Sequence, residues 1–134
     1  MMDACIYSAT GHMKNCLVID DSRVVRKVAA RILTDLGLQC VEAEDGQRAL
    51  DSCRKLMPDL IVLDWNMPVM SGIEFLEHLR KMEGGKTPKV IFCTTESDIK
   101  QLNRAIAAGA NEYIMKPFDG DMLREKIRLL GFKG

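Results

Sequence analysis

Five short apolar runs, each followed by a longer stretch of helical spacing, leave this chain few ways to fold. The runs are Cys16–Ile19, Gln39–Ala43, Leu60–Leu63, Lys89–Cys93 and Glu112–Met115, all of strand length. The spacing between and after them predicts helices over Ser22–Leu36, Gly46–Met57, Gly72–Met82, Ser97–Ala108 and Asp119–Leu130. Pro58, the Gly84-Gly85 pair, Gly109 and Gly131 supply the stops, and Asp119 reads as an N-cap. In the first helix Val24, Val25, Val28, Ala29, Ile32, Leu33 and Leu36 form one stripe, with Arg23, Arg26, Lys27, Arg31 and Asp35 opposite. Nearly continuous apolar strands imply burial on both faces. That predicts an α/β fold, a parallel sheet between two helical layers. Right-handed crossovers and short connections prune the topologies further.

The segment before the first run stands apart. Residues 1–13 (MMDACIYSATGHM) carry neither period, and Gly11-His12-Met13 has the look of a cloning junction. They are read as an extension, with the domain spanning residues 14–134. One domain accounts for the whole length, and a 47% apolar content suffices for its core. The 19 basic residues are matched by 19 acidic ones, which argues against a protein held to nucleic acid by bulk charge. Cys5, Cys16, Cys40, Cys53 and Cys93 are odd in number and widely spaced, so they read as reduced thiols. Cys16, Cys40 and Cys93 fall in strands expected to be buried. No apolar stretch approaches the roughly 20 residues that span a bilayer, and no signal peptide is evident. Membrane insertion is therefore not expected, and a cytoplasmic location is the default.

Ligands of an open parallel sheet bind outside the carboxyl ends of its strands, so the residues there carry the argument. The first strand runs into Asp20 and Asp21, and the third into Asp64. Thr94 and Thr95 follow the fourth, and Lys116 and Pro117 the fifth. Three carboxylates in one pocket repel one another unless cations are present. Lys116 offsets one charge, and a divalent cation would offset the other two. An all-oxygen ligand set with open positions suits Mg²⁺, which completes its shell with water and phosphate oxygens. Such a site is built to receive a phosphoryl group. A carboxylate can be the attacking nucleophile, and Asp64, alone at the end of a central strand, is best placed.

With these residues in place, the chain from Asn15 to about Gly131 resembles the receiver family of two-component signalling. The matching pieces are VIDDS at the first strand, VLDWNMPVMSG around the third, TTE after the fourth and YIMKPF at the fifth. Each alone is weak; four in order at strand ends are specific. Asp64-Trp65-Asn66-Met67-Pro68 is most similar to the stand-alone chemotaxis (CheY) type. The resemblance implies a flavodoxin-like three-layer sandwich, with five parallel strands in order 2-1-3-4-5 and five helices.

It also implies roles. Asp64 would be the phosphoacceptor and a metal ligand, Asp21 a direct Mg²⁺ carboxylate, and Asp20 an acidic neighbour acting through water. The backbone carbonyl of Asn66 would add a ligand. Lys116 would pair with the phosphoryl group, and its bond to Pro117 would be cis. Thr94 would be the switch hydroxyl and Tyr113 the aromatic that swings in behind it. Asn66 and Glu96 would tune signal lifetime. The implied donor is a sensor histidine kinase or histidine phosphotransfer protein, docked near the first helix, where Arg23 and Arg26 are equally well read as a solvated face. The implied output is a downstream protein target on helix 4, strand 5 and helix 5. The product is a signalling switch rather than an enzyme, although the pocket assists its own phosphorylation and dephosphorylation.

Rival readings fit less well. A haloacid-dehalogenase-type phosphatase wants a second Asp where Asn66 stands, and a cap domain. A nucleotide- or flavin-binding module would show glycines where Asp20 and Asp21 stand. The serious alternative is a receiver-like adaptor that binds its partners independently of phosphorylation. Trp65 is read as a partly exposed neighbour of the acceptor, and His12 and His78 as solvated residues.

Overall fold

Five parallel strands form the centre of the protein, in the order β2-β1-β3-β4-β5. The computed structural model describes residues 14–132, apart from the side chains of Glu96 and Ser97. The expectation of a separate extension over residues 1–13, with Cys5 and His12, therefore lies outside the described residues. The elements alternate as β1 (Asn15–Ile19), α1 (Arg23–Asp35), β2 (Gln39–Ala43), α2 (Gly46–Lys55), β3 (Leu60–Asp64), α3 (Gly72–Lys81), β4 (Lys89–Thr94), a 3₁₀ helix (Glu96–Gln101), α4 (Leu102–Ala108), β5 (Glu112–Met115) and α5 (Gly120–Leu129). This is the expected flavodoxin-like sandwich.

Two apolar layers flank the sheet. On one face Cys16, Val18, Val62 and Ile91 pack with Ala29 and Leu33 of α1 and Leu123 and Ile127 of α5. On the other, Leu17, Ile61, Leu63 and Phe92 pack with Ala49 of α2, Phe75 and Leu79 of α3 and Ala105 of α4. Alternate residues of each strand thus serve opposite layers, which is why the central strands read as unbroken apolar runs.

Caps fix where the helices begin, and so how the strand-end turns run. Ser22 accepts from Val25 N, Asp45 from Arg48 N and Asp119 from Met122 N, the last as expected from sequence. Ser71 and Glu74 form a reciprocal capping box at the start of α3. α2 stops at Lys55, two residues short of the expected Met57, because the residue before Pro58 is pushed out of helical conformation.

Three expectations need correction. The fourth helix is not continuous from Ser97: a 3₁₀ helix precedes α4, opened by an Asp98 N–H bond to the Thr95 carbonyl. β2 is an edge strand, so Val41 is exposed and Cys40 is only half-buried, whereas Cys16 and Cys93 are buried as expected. The buried face of α1 is also rotated from the apolar stripe. Ala29 and Leu33 are its fully buried residues, while Val24 is 73% exposed. At about 100° per residue, Val24 lies roughly opposite Leu33, and Arg26 lies only about 20° from it. Arg26 accordingly faces the protein, not solvent.

Candidate functional site

Parallel pairing brings every strand's carboxyl end to one rim. Asp64 ends β3 opposite Cys93, and Thr94 ends β4 opposite Met115. Asp20 and Asp21 follow β1, and Lys116 follows β5. Among the described residues, the fully buried polar or charged ones are Asp20, Asp64 and Thr94. Burying such groups is unfavourable unless they are paired, so their shared location marks the site.

Lys116 does the pairing. Its Nζ donates to Asp20 Oδ2 at 2.7 Å and to Asp64 Oδ1 at 2.9 Å. The peptide bond that follows it, to Pro117, is cis, as expected. The second oxygen of Asp20 accepts from the Ser22 N–H at 2.9 Å, which ties the acid into the turn that starts α1. Asp21 is exposed, yet an oxygen of each of Asp20, Asp21 and Asp64 lies within 4.8 Å of the others. A cleft of about 240 Å³ opens on this cluster, lined in part by Asp21, Asp64, Trp65, Asn66, Thr94 and Lys116.

Electrostatics follow from the charge count. Burial, with repulsion from Asp20 and Asp21, raises the Asp64 carboxyl to about 6, against a lowering pull from Lys116. Burial alone would lower the pKa of Lys116, but Asp20 and Asp64 outweigh it and hold the ammonium above its ordinary range. One ammonium therefore does not satisfy three carboxylates. The donor set is all oxygen, clustered and partly open to water, and it fits a hard divalent cation such as Mg²⁺.

Local packing holds the acceptor strand end rigid. The Gly72 N–H donates to the Trp65 carbonyl at 3.1 Å, and the Trp65 ring leans on Phe92 with centroids 5.1 Å apart. A Cβ added at Gly72 would stand 2.3 Å from the backbone oxygen of Asp64. Gly72→Ala should therefore cost about 3 kcal/mol of stability, the overpacking range, because a backbone atom cannot swing aside. Urea denaturation checks the loss, and a changed Trp65 emission spectrum would report the displaced strand end.

The remaining expected residues are placed as follows. The Thr94 hydroxyl donates to the Thr95 carbonyl at 3.3 Å. Tyr113 is half-buried beside Phe92 in the sheet, with Lys126 Nζ 4.8 Å from its ring centre. Asn66 lines the cleft; Glu96 opens the 3₁₀ helix, and its side chain lies outside the described residues. His78 is exposed, and Trp65 is half-buried.

Two residues at the site were missed by sequence reasoning. Asp98 lines the cleft and accepts from the Thr95 hydroxyl at 3.0 Å, but it was hidden in a segment read as plain helix. Arg26 donates to the Asp20 carbonyl at 2.8 Å, and its angular proximity to Leu33 was the signal that could have found it.

Comparison with known proteins gives the family. Residues 16–128 match the response regulator receiver domain, and the chain belongs to that family. It is 40% identical over 112 residues to chemotaxis protein CheY-3 of Vibrio cholerae, covering 83% of this chain and 86% of that one. To chemotaxis protein CheY of Pseudomonas aeruginosa it is 39% identical, covering 83% and 90%. The solved structure of chemotaxis response regulator CheY4 of Vibrio cholerae superposes with a TM-score of 0.83 at 32% identity, covering 88% of this chain and 98% of that one. The protein is thus a CheY-like receiver domain of two-component signalling, a family of phosphoacceptors rather than conventional enzymes. Among the described residues no helix is long and apolar enough to cross a membrane.

Proposed function

We propose that Asp64 accepts a phosphoryl group from a phosphohistidine on a sensor histidine kinase or histidine phosphotransfer protein. A carboxylate oxygen of Asp64 attacks phosphorus; the phosphorus–nitrogen bond breaks, and its electron pair stays with the donor histidine. Lys116 and Thr94 stabilise the equatorial oxygens of the transferring group. Asp20, Asp21 and Asp64, with the backbone carbonyl of Asn66, would hold Mg²⁺, which when bound spreads the charge of that group. The observation that carries this reading is one ammonium shared by two buried carboxylates, with a third carboxylate at their side.

Phosphoryl oxygens on Asp64 then favour the state in which Thr94 turns toward them and Tyr113 moves inward. The surface so altered is α4, β5 and α5, which receives the downstream protein target. Asn66, which lines the cleft, and Glu96 set the access of hydrolytic water and hence the signal's lifetime. The donor docks against α1, where Val24 and Val28 are exposed apolar side chains.

The test is Mg²⁺ titration followed by acetyl phosphate labelling, with Trp65 emission as the reporter. Asp21→Asn should weaken Mg²⁺ at least about tenfold, in the range of lost ligand-shell groups. Because Asp21 is exposed, stability should change by no more than about 0.5 kcal/mol. Undiminished Mg²⁺ affinity in that variant would remove Asp21 from the ligand set. A downstream partner bound equally with and without beryllofluoride would instead identify an adaptor indifferent to phosphorylation.

A further inference from the structure

Arg26 sits on α1, one turn after the N-cap, with its side chain only 13% exposed. Its Nε donates to Glu42 Oε1 at 3.2 Å, and another guanidinium nitrogen donates to the Asp20 carbonyl at 2.8 Å. The same Asp20 residue is held on its other side, where its N–H donates to the Ala43 carbonyl at 3.2 Å. Both backbone groups of Asp20 are thereby fixed against β2 and α1. The Asp20 carbonyl shares a rigid peptide plane with the Asp21 nitrogen, so fixing one fixes how Asp21 leaves the strand. Among the described residues no hydrogen bond reaches the Asp21 carboxylate. Its place in the acidic cluster depends on its backbone.

We infer that Arg26 is a positioning residue for the cation site, holding the Asp20–Asp21 turn so that both carboxylates face the same point as Asp64. This rests on the proposed metal-binding reading of the cluster.

Two effects of Arg26 on Mg²⁺ have opposite signs, and that makes the inference sharp. As a charge, Arg26 repels a divalent cation, so losing it would tighten binding. As a support, it orders a ligand, so losing it would weaken binding. The charge effect is damped because Glu42 is its partner: burial pushes that carboxyl up, but Lys27 and Arg26 outweigh burial and hold it below the usual range, keeping it ionised. The support effect has no such compensation, since no second side chain bonds the Asp20 carbonyl among the described residues.

The experiment measures Mg²⁺ binding to the full chain by calorimetry and by Trp65 emission, alongside thermal stability. In Arg26→Met the Kd for Mg²⁺ should rise about tenfold, the lower end for lost outer-shell support. Glu42→Gln leaves the bond to the Asp20 carbonyl in place; it should lower stability while keeping Mg²⁺ affinity within about twofold of wild type. Should Arg26→Met fail to fold, Arg26→Lys serves the same purpose: it keeps a positive charge but cannot reach both acceptors, and it too should bind Mg²⁺ more weakly. Equal or tighter binding in the Arg26 variant, with the wild-type chain binding normally, would overturn this inference alone. Equal losses of stability in the Arg26 and Glu42 variants with no difference in Mg²⁺ affinity would do the same. No Mg²⁺ uptake by the wild-type chain would overturn the metal-binding reading and this inference with it.

Discussion

Asp64→Asn is expected to abolish phosphoryl acceptance and, at pH 7, to make the protein more stable. The first effect follows from chemistry: an amide oxygen is no nucleophile toward phosphorus under these conditions, and the side chain is otherwise nearly isosteric. The second follows from the raised Asp64 carboxyl. Its value moves from 3.8 to about 6 on folding, so the folded chain holds this proton more tightly than the unfolded chain. Between those two pH values the folded state binds more protons, and stability falls as pH rises through that window. Above about pH 6 the full cost is present, on the order of 3 kcal/mol from the size of the rise. An Asn avoids it, but receives a weaker hydrogen bond from Lys116 than a carboxylate does. The net gain should be about 1–2 kcal/mol at pH 7, and it should vanish below about pH 4. Urea denaturation of both chains at pH 7 and pH 4 measures the difference directly. Radiolabel retained by the variant, or a variant less stable at pH 7, would contradict one half of this expectation each.

Such a trade of stability for function explains why the site was easier to find from sequence than some of the scaffold. Asp20, Asp21, Asp64, Thr94 and Lys116 stand at the ends of apolar runs, where a parallel sheet must expose a rim. Their convergence depends only on strand direction and order. Element type was legible from length and spacing: apolar runs of strand length suit buried strands, whereas the longer segments between them carry helical spacing.

What stayed hidden depended on side chains reaching across elements. The bond from Arg26 on α1 to the Asp20 carbonyl leaves no trace in local periodicity, and a long apolar stem lets an arginine cross a buried face. The edge position of β2 is a property of the sheet, so the half-exposure of Cys40 could not be read from the run that contains it. The 3₁₀ helix before α4 is set by hydrogen bonds of Thr95 and Asp98, short polar side chains that compete with helical backbone pairing.

The largest loss of stability is expected from Lys116→Met. Lys116 is the cation common to Asp20 and Asp64, whose side chains are 3% and 7% exposed. Without it two buried carboxylates remain, and among the described residues no other cationic side chain bonds either of them. Breaking a buried pair in this way costs about 3–5 kcal/mol, far more than the pair contributes relative to an apolar replacement. The deficit should depend on pH in a definite direction. Loss of the ammonium removes the lowering influence on Asp64, so its carboxyl rises further above 6. Protonation then relieves the repulsion on acidification, and the variant should regain stability between pH 7 and pH 5. Mg²⁺ should relieve it by another route. Binding to the folded state alone stabilises by RT ln(1 + [Mg²⁺]/Kd), and here the cation replaces a missing charge instead of competing with a resident one. Millimolar Mg²⁺ at pH 7 should therefore raise the Tm of the variant by more than that of the wild-type chain. Equal increments in the two proteins would mean that the ammonium and the divalent cation do not share the same carboxylates, and the charge balance proposed for the site would have to be abandoned.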